Sequence, residues 1–162
     1  MTTLKEFLNE YAKTHQNPTN SAIHMICVPV IVTATIGLGW GLSNWLFSGF
    51  LSWDLLPFVN IGTVGMFLML AYYFRLSKKL FVNMVAYAAF TWFVLYGIHH
   101  SGYSVFWVSA IFWVAAWAVQ FYGHHVEGAK PSFTQDVVFL LIGPAFVLDK
   151  VYKRFGSSIV ST

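Results

Sequence analysis

The sequence predicts an all-α polytopic membrane helix bundle: four transmembrane helices, an N-terminal interfacial helix and a C-terminal re-entrant or interfacial hairpin, forming a single integral-membrane domain over residues 1–162. Three observations predict it. Of the 162 residues, 57% are hydrophobic and only 9% charged, and the mean hydropathy is +0.64, whereas soluble domains average about 45–50% apolar and about 25% charged. No Asp, Glu, Lys or Arg occurs between Lys13 and Asp54, between Asp54 and Arg75, or from Leu80 to Val126. Each gap has room for at least one run of the roughly 20 apolar residues that cross a bilayer as helix. Finally, all nine Lys and Arg residues lie before the first apolar run, between the second and third, or after the fourth.

In chain order, Leu4, Phe7, Leu8 and Tyr11 recur at helical spacing with Lys5, Glu6, Glu10 and Lys13 off that stripe, which predicts an amphipathic helix in the membrane interface. These charges, ahead of a late apolar stretch, also argue against a cleavable signal. Asn17-Pro18 and Asn20 provide turn and N-cap chemistry before the first span, residues 23–42. The remaining spans are expected at residues 55–74, with Asp54 as a cap, 80–98 and 103–122, each apolar on every face. Gly37 and Gly41 form a small-xxx-small pair, suited to close packing inside the bundle or, in a homo-oligomer, to a dimer face. Residues 137–148 are apolar but short for a span and interrupted by Gly143-Pro144, which predicts the hairpin. A further crossing there would place Lys150, Lys153 and Arg154 opposite the other cations. With four spans the positive-inside rule puts both termini on the cytoplasmic side. The basic residues therefore read as topology and not as a nucleic-acid stripe, and the single Cys27 excludes a disulfide framework or a CxxC zinc module.

Polar residues beside apolar spans carry the information, because each costs several kcal/mol unless paired or solvated. The six histidines fall in three places. His15 and His24 flank the start of the first span, while His124 and His125 end the fourth, so these imidazoles converge at one membrane level. Glu127 joins His124 on one helix face if that helix continues by a turn. Imidazole with carboxylate suits iron, zinc or copper, and two histidines with one carboxylate and open positions is the non-haem iron arrangement. The competing reading is interfacial histidines without a ligand. His99 and His100 end the third span near the opposite surface, as structural groups or brought inward by a broken helix.

His15…Asn17-Pro18…Asn20…His24…Val28-Pro29, combined with Gln120-Phe121…Gly123-His124…Glu127…Pro131, resembles the fungal and bacterial membrane dioxygenases that act on 2-hydroxy fatty acids in phytosphingosine degradation. The resemblance implies Fe(2+)-dependent α-oxidation, in which a long-chain 2-hydroxy fatty acid and O2 give the one-carbon-shorter acid and CO2. It implies His15, His24 and His124 as iron ligands. Asn20 and Glu127 follow as catalytic-site residues that support the metal or add a ligand, and His100 as a further histidine ahead of the second motif. His125 stays in the candidate metal set through its place beside His124. A 2-hydroxy acid can chelate iron through hydroxyl and carboxylate while its tail stays in the bilayer, and Lys130 is either an attractor of that carboxylate or a topogenic cation. The expected setting is a bacterial inner membrane or an endoplasmic reticulum, with the metal on the cytoplasmic side. A di-iron hydroxylase fits less well, since no HxxxH or HxxHH box is present. A small histidine-containing transporter or channel and a structural membrane subunit remain as non-catalytic alternatives.

Overall fold

The computed structural model describes residues 3–50, 52–128 and 138–160, and its described residues contain six helices and no strand. Helix α1 (Leu4–Ala12) starts at a capping box: Thr3 Oγ1 accepts from the Glu6 amide, and the Glu6 carboxylate accepts from the Thr3 amide. Its predicted stripe is used inside the protein, because Leu4, Leu8 and Tyr11 are buried against Ile142, Ala145 and Phe146 of α6 (Val138–Arg154).

Helix α2 (Pro18–Phe47) begins with Asn17 as N-cap and Pro18 in the first turn, and it is the central element of the bundle. Pro29 lies within it, and Tyr87 of α4 (Lys78–His100) donates to the Pro29 carbonyl at 2.6 Å. The Tyr87 hydroxyl also meets Thr33, which meets Thr91, so these hydroxyls between apolar helices satisfy one another around the proline. Helix α5 (Val105–Glu127) packs along α2. A Cβ on Gly41 would lie 2.6 Å from the backbone N of Phe106, and one on Gly37 would lie 2.1 Å from Ser109 Oγ. The glycine pair is thus spent on contact within the bundle.

Three helices, α2, α4 and α5, are long and apolar enough to cross a membrane. The expected second span is shorter than predicted: α3 (Ile61–Leu76) has 16 residues, about 24 Å of helix against a hydrocarbon core of about 30 Å. The expected cap at Asp54 is corrected, since Asp54 is exposed in a stretch of turns and the helix starts seven residues later, at Ile61. Asn60 stops it there: its side chain accepts from the Thr63 amide at 2.8 Å, and its own amide donates to Thr63 Oγ1 at 3.0 Å. The outward faces carry exposed Phe67, Leu68, Phe90, Phe93, Trp107 and Phe112, a surface suited to lipid.

The C-terminal segment also departs from expectation. It is one helix, α6, and no hairpin turns at Gly143-Pro144. Proline inside a helix leaves the carbonyl four residues earlier, here Leu140, without its backbone donor. The neighbouring Leu141 carbonyl instead accepts from the Tyr73 hydroxyl at 2.7 Å. Gly143 fits tightly, with a virtual Cβ 3.3 Å from Val28 and 3.4 Å from the Tyr11 hydroxyl. Packing on both sides holds the helix through a sequence that would otherwise break it.

Candidate metal centre

Helices α2 and α5 run in opposite directions, so the N-terminus of one and the C-terminus of the other share one end of the bundle. The α1–α2 connection brings His15 to that end. There the rings of His15, His24 and His124 meet, with centroids 4.2 Å apart for His15–His24, 5.1 Å for His15–His124 and 4.9 Å for His24–His124. All three are at least nine-tenths buried, being 2%, 0% and 5% exposed. Their ligand nitrogens lie within 4.8 Å of one another. Metal–nitrogen bonds of about 2.1 Å hold shared ligand atoms closer together than this, so an ion would draw the three rings inward.

Two of the rings are already oriented for coordination. His15 Nδ1 donates to the Tyr11 carbonyl at 2.7 Å, and His24 Nδ1 donates to the Asn20 carbonyl at 3.0 Å. A carbonyl only accepts, so the proton sits on Nδ1 and the lone pair on Nε2. Both Nε2 atoms are buried without a hydrogen-bond partner. A buried orphaned acceptor costs roughly 1–3 kcal/mol, which a metal ion would offset, and backbone carbonyls on the opposite nitrogen are the usual support for ligating histidines. Burial also pulls the His15 pKa down from 6.5 to about 4, so the ring is neutral at pH 7, as coordination requires. Tyr11 stacks beneath it, centroids 4.2 Å apart and planes within 10°. This donor set of three buried imidazoles fits a divalent transition metal.

Glu127 does not supply the expected carboxylate to this group. Its oxygens accept from the Gln16 amide at 2.8 Å, the Asn17 amide at 2.9 and 3.1 Å and Asn20 Nδ2 at 3.1 Å. It fastens the end of α5 to the segment that carries His15, a fitting place for an anion at a helix N-terminus. Asn20 is fully buried, and its Nδ2 also donates to the Thr14 carbonyl at 3.2 Å. Gly123 permits the approach, since a Cβ there would lie 2.6 Å from Asn20 Oδ1.

Two candidates stand apart from the group. His125 is exposed, because consecutive helical residues point about 100° apart. His100 is at the other end of the bundle, exposed and stacked on Tyr96, with its neighbour His99 against Trp53 and Trp40. From His24 to Trp40 is about 24 Å along α2, too far for His100 to reach. Lys130 and Pro131 lie outside the described residues.

Next to the histidines opens a cavity of about 310 Å³. Tyr11, Gln120 and His124 line one end, and Gly39, Ile61 and Gly65 the other. Between Val28 and Gly39 it follows α2 for about 16 Å, walled mainly by aliphatic side chains. Sequence reasoning used Tyr11 only in the amphipathic stripe and Gln120 only as a motif residue, and gave neither a part in the site, although each sits four residues before a motif histidine.

No curated protein and no solved structure matches the chain. Residues 1–155 match the family model described as 2-hydroxy-palmitic acid dioxygenase Mpo1-like, and the chain belongs to that family.

Proposed function

We propose that the protein is an Fe(2+)-dependent dioxygenase of fatty-acid α-oxidation in a membrane, acting on long-chain 2-hydroxy acids such as those released in sphingolipid breakdown. One observation carries this reading: a mainly apolar cavity is lined at one end by His124, in a cluster whose His15 and His24 present orphaned Nε2 atoms. The overall reaction balances as R–CH(OH)–COOH plus O2 giving R–COOH, CO2 and H2O. The bond between carbons 1 and 2 breaks, and the four electrons lost by these carbons reduce O2. Bound iron supplies the template for hydroxyl and carboxylate and the site of oxygen activation. His15, His24 and His124 would hold the ion, and with only three protein ligands it would have room for substrate and O2. The cavity between α2, α3 and α6 takes the tail and keeps water from the reacting carbons. The nine cations argue that this end of the bundle faces the cytoplasm.

The purified protein in detergent, loaded with Fe(2+), is expected to consume O2 with 2-hydroxypalmitic acid and to release pentadecanoic acid and CO2 in equal amounts. Folded, iron-bearing protein that takes up no oxygen sinks the proposal. Chain length gives a second check. Gly65 lines the far end of the cavity, and a Cβ there meets nothing within 4 Å. Gly65→Phe is therefore expected to fill that end, lowering kcat/KM for 2-hydroxypalmitic acid by about tenfold or more while sparing 2-hydroxydecanoic acid. Equal losses on both acids would place the tail elsewhere.

A further inference from the structure

Gln120 is a buried polar group that the metal centre does not use. It lies on α5 four residues before His124, is 4% exposed and lines the cavity at its histidine end. Its Oε1 is buried with no hydrogen-bond partner. Leaving an amide oxygen unsatisfied in an apolar wall destabilises the folded protein, and an apolar residue of the same shape would avoid that cost. A group that weakens the fold in the wall of a cavity calls for a ligand that completes it.

The orphan is an acceptor, so the ligand must bring a donor. A fatty-acid carboxylate has none at neutral pH, and its alkyl tail has none. The hydroxyl of a 2-hydroxy acid has one, on the carbon next to the carboxylate. We infer that Gln120 is the residue that recognises the substrate hydroxyl, accepting its O–H at Oε1 and so selecting 2-hydroxy acids over plain fatty acids. The inference rests on the proposed function and names a specificity determinant for it. It also gives α5 a division of labour: His124 faces the metal, and Gln120, one turn deeper, faces the substrate.

The test uses the full-length, metal-loaded protein in detergent and two apolar variants of similar size, Gln120→Leu and Gln120→Met, the second serving if the first does not fold. Displacement of a fluorescent fatty acid by 2-hydroxypalmitic acid and by palmitic acid reads binding without turnover, and steady-state kinetics read KM and kcat. Because bound iron would also take the hydroxyl, the variants are expected to keep part of the wild-type preference for the hydroxy acid and to lose about tenfold of it. KM for the hydroxy acid should rise by about the same factor, with metal content unchanged. The Tm of the ligand-free variants should stay level or rise, because the orphaned acceptor is gone. A variant that keeps the full wild-type preference for the hydroxy acid overturns the inference, as does a fall in Tm with KM unchanged, which marks Gln120 as structural. If wild type prefers the hydroxy acid but takes up no oxygen, the catalytic proposal fails while the role of Gln120 stands. If wild type shows no preference, the inference fails even where catalysis is found.

Discussion

His24→Ala is expected to abolish metal retention and oxygen uptake together while leaving the helical bundle in the membrane. His24 is fully buried, its Nδ1 is held by the Asn20 carbonyl, and its Nε2 has no partner. Truncation removes the central imidazole, whose ring is within 5 Å of both His15 and His124. Disturbing a group that merely orients a ligand typically costs 10–100-fold in metal affinity, so losing the ligand itself should exceed about a hundredfold. Elemental analysis of purified variants reads this directly, with circular dichroism as the fold control. His15→Ala should behave alike, whereas His100→Ala and His125→Ala should retain the metal. A His24→Ala protein with a full complement of metal would refute the three-histidine centre. Loss of metal in His100→Ala would show that the far end of the bundle takes part.

Glu127→Ala has the next largest expected effect, for a different reason. Three donors converge on this carboxylate: the Gln16 and Asn17 amides and the Asn20 side chain. Hydrogen bonds to a charged group contribute about 1.5–3 kcal/mol when buried. Glu127 is half-buried, so water replaces part of that, and a drop of several degrees in Tm is expected. Because the freed segment carries His15 and Asn20, metal affinity should weaken by about tenfold, an orienting effect. Melting the metal-free protein separates a clamp from a ligand. A clamp lowers Tm without metal present, and Glu127→Gln, which keeps an acceptor oxygen, recovers part of the loss. If the metal-free Tm is unchanged and both variants lose the metal completely, Glu127 is a ligand after all.

Apolar content and the spacing of charges determined the helical class and the approximate position of each long helix, because a bilayer-length run of apolar residues has few alternatives to helix. The order of the spans also brought His15, His24 and His124 to one end, since antiparallel neighbours return to the same level. Three further features were decided by tertiary contact. Gly143-Pro144 reads locally as a break, yet Val28, Tyr11 and Tyr73 hold α6 straight through it. Asp54 was the expected cap, and the paired hydrogen bonds with Thr63 place the cap at Asn60, inside the expected span. His124, His125 and Glu127 are neighbours in sequence, but the rotation of α5 against α2 turns one ring inward, leaves the next exposed, and gives the carboxylate to backbone amides. Sequence fixes which groups reach a membrane level. Which way each one points depends on helix rotation and on partners more than a hundred residues away, and these belong to the packed structure alone.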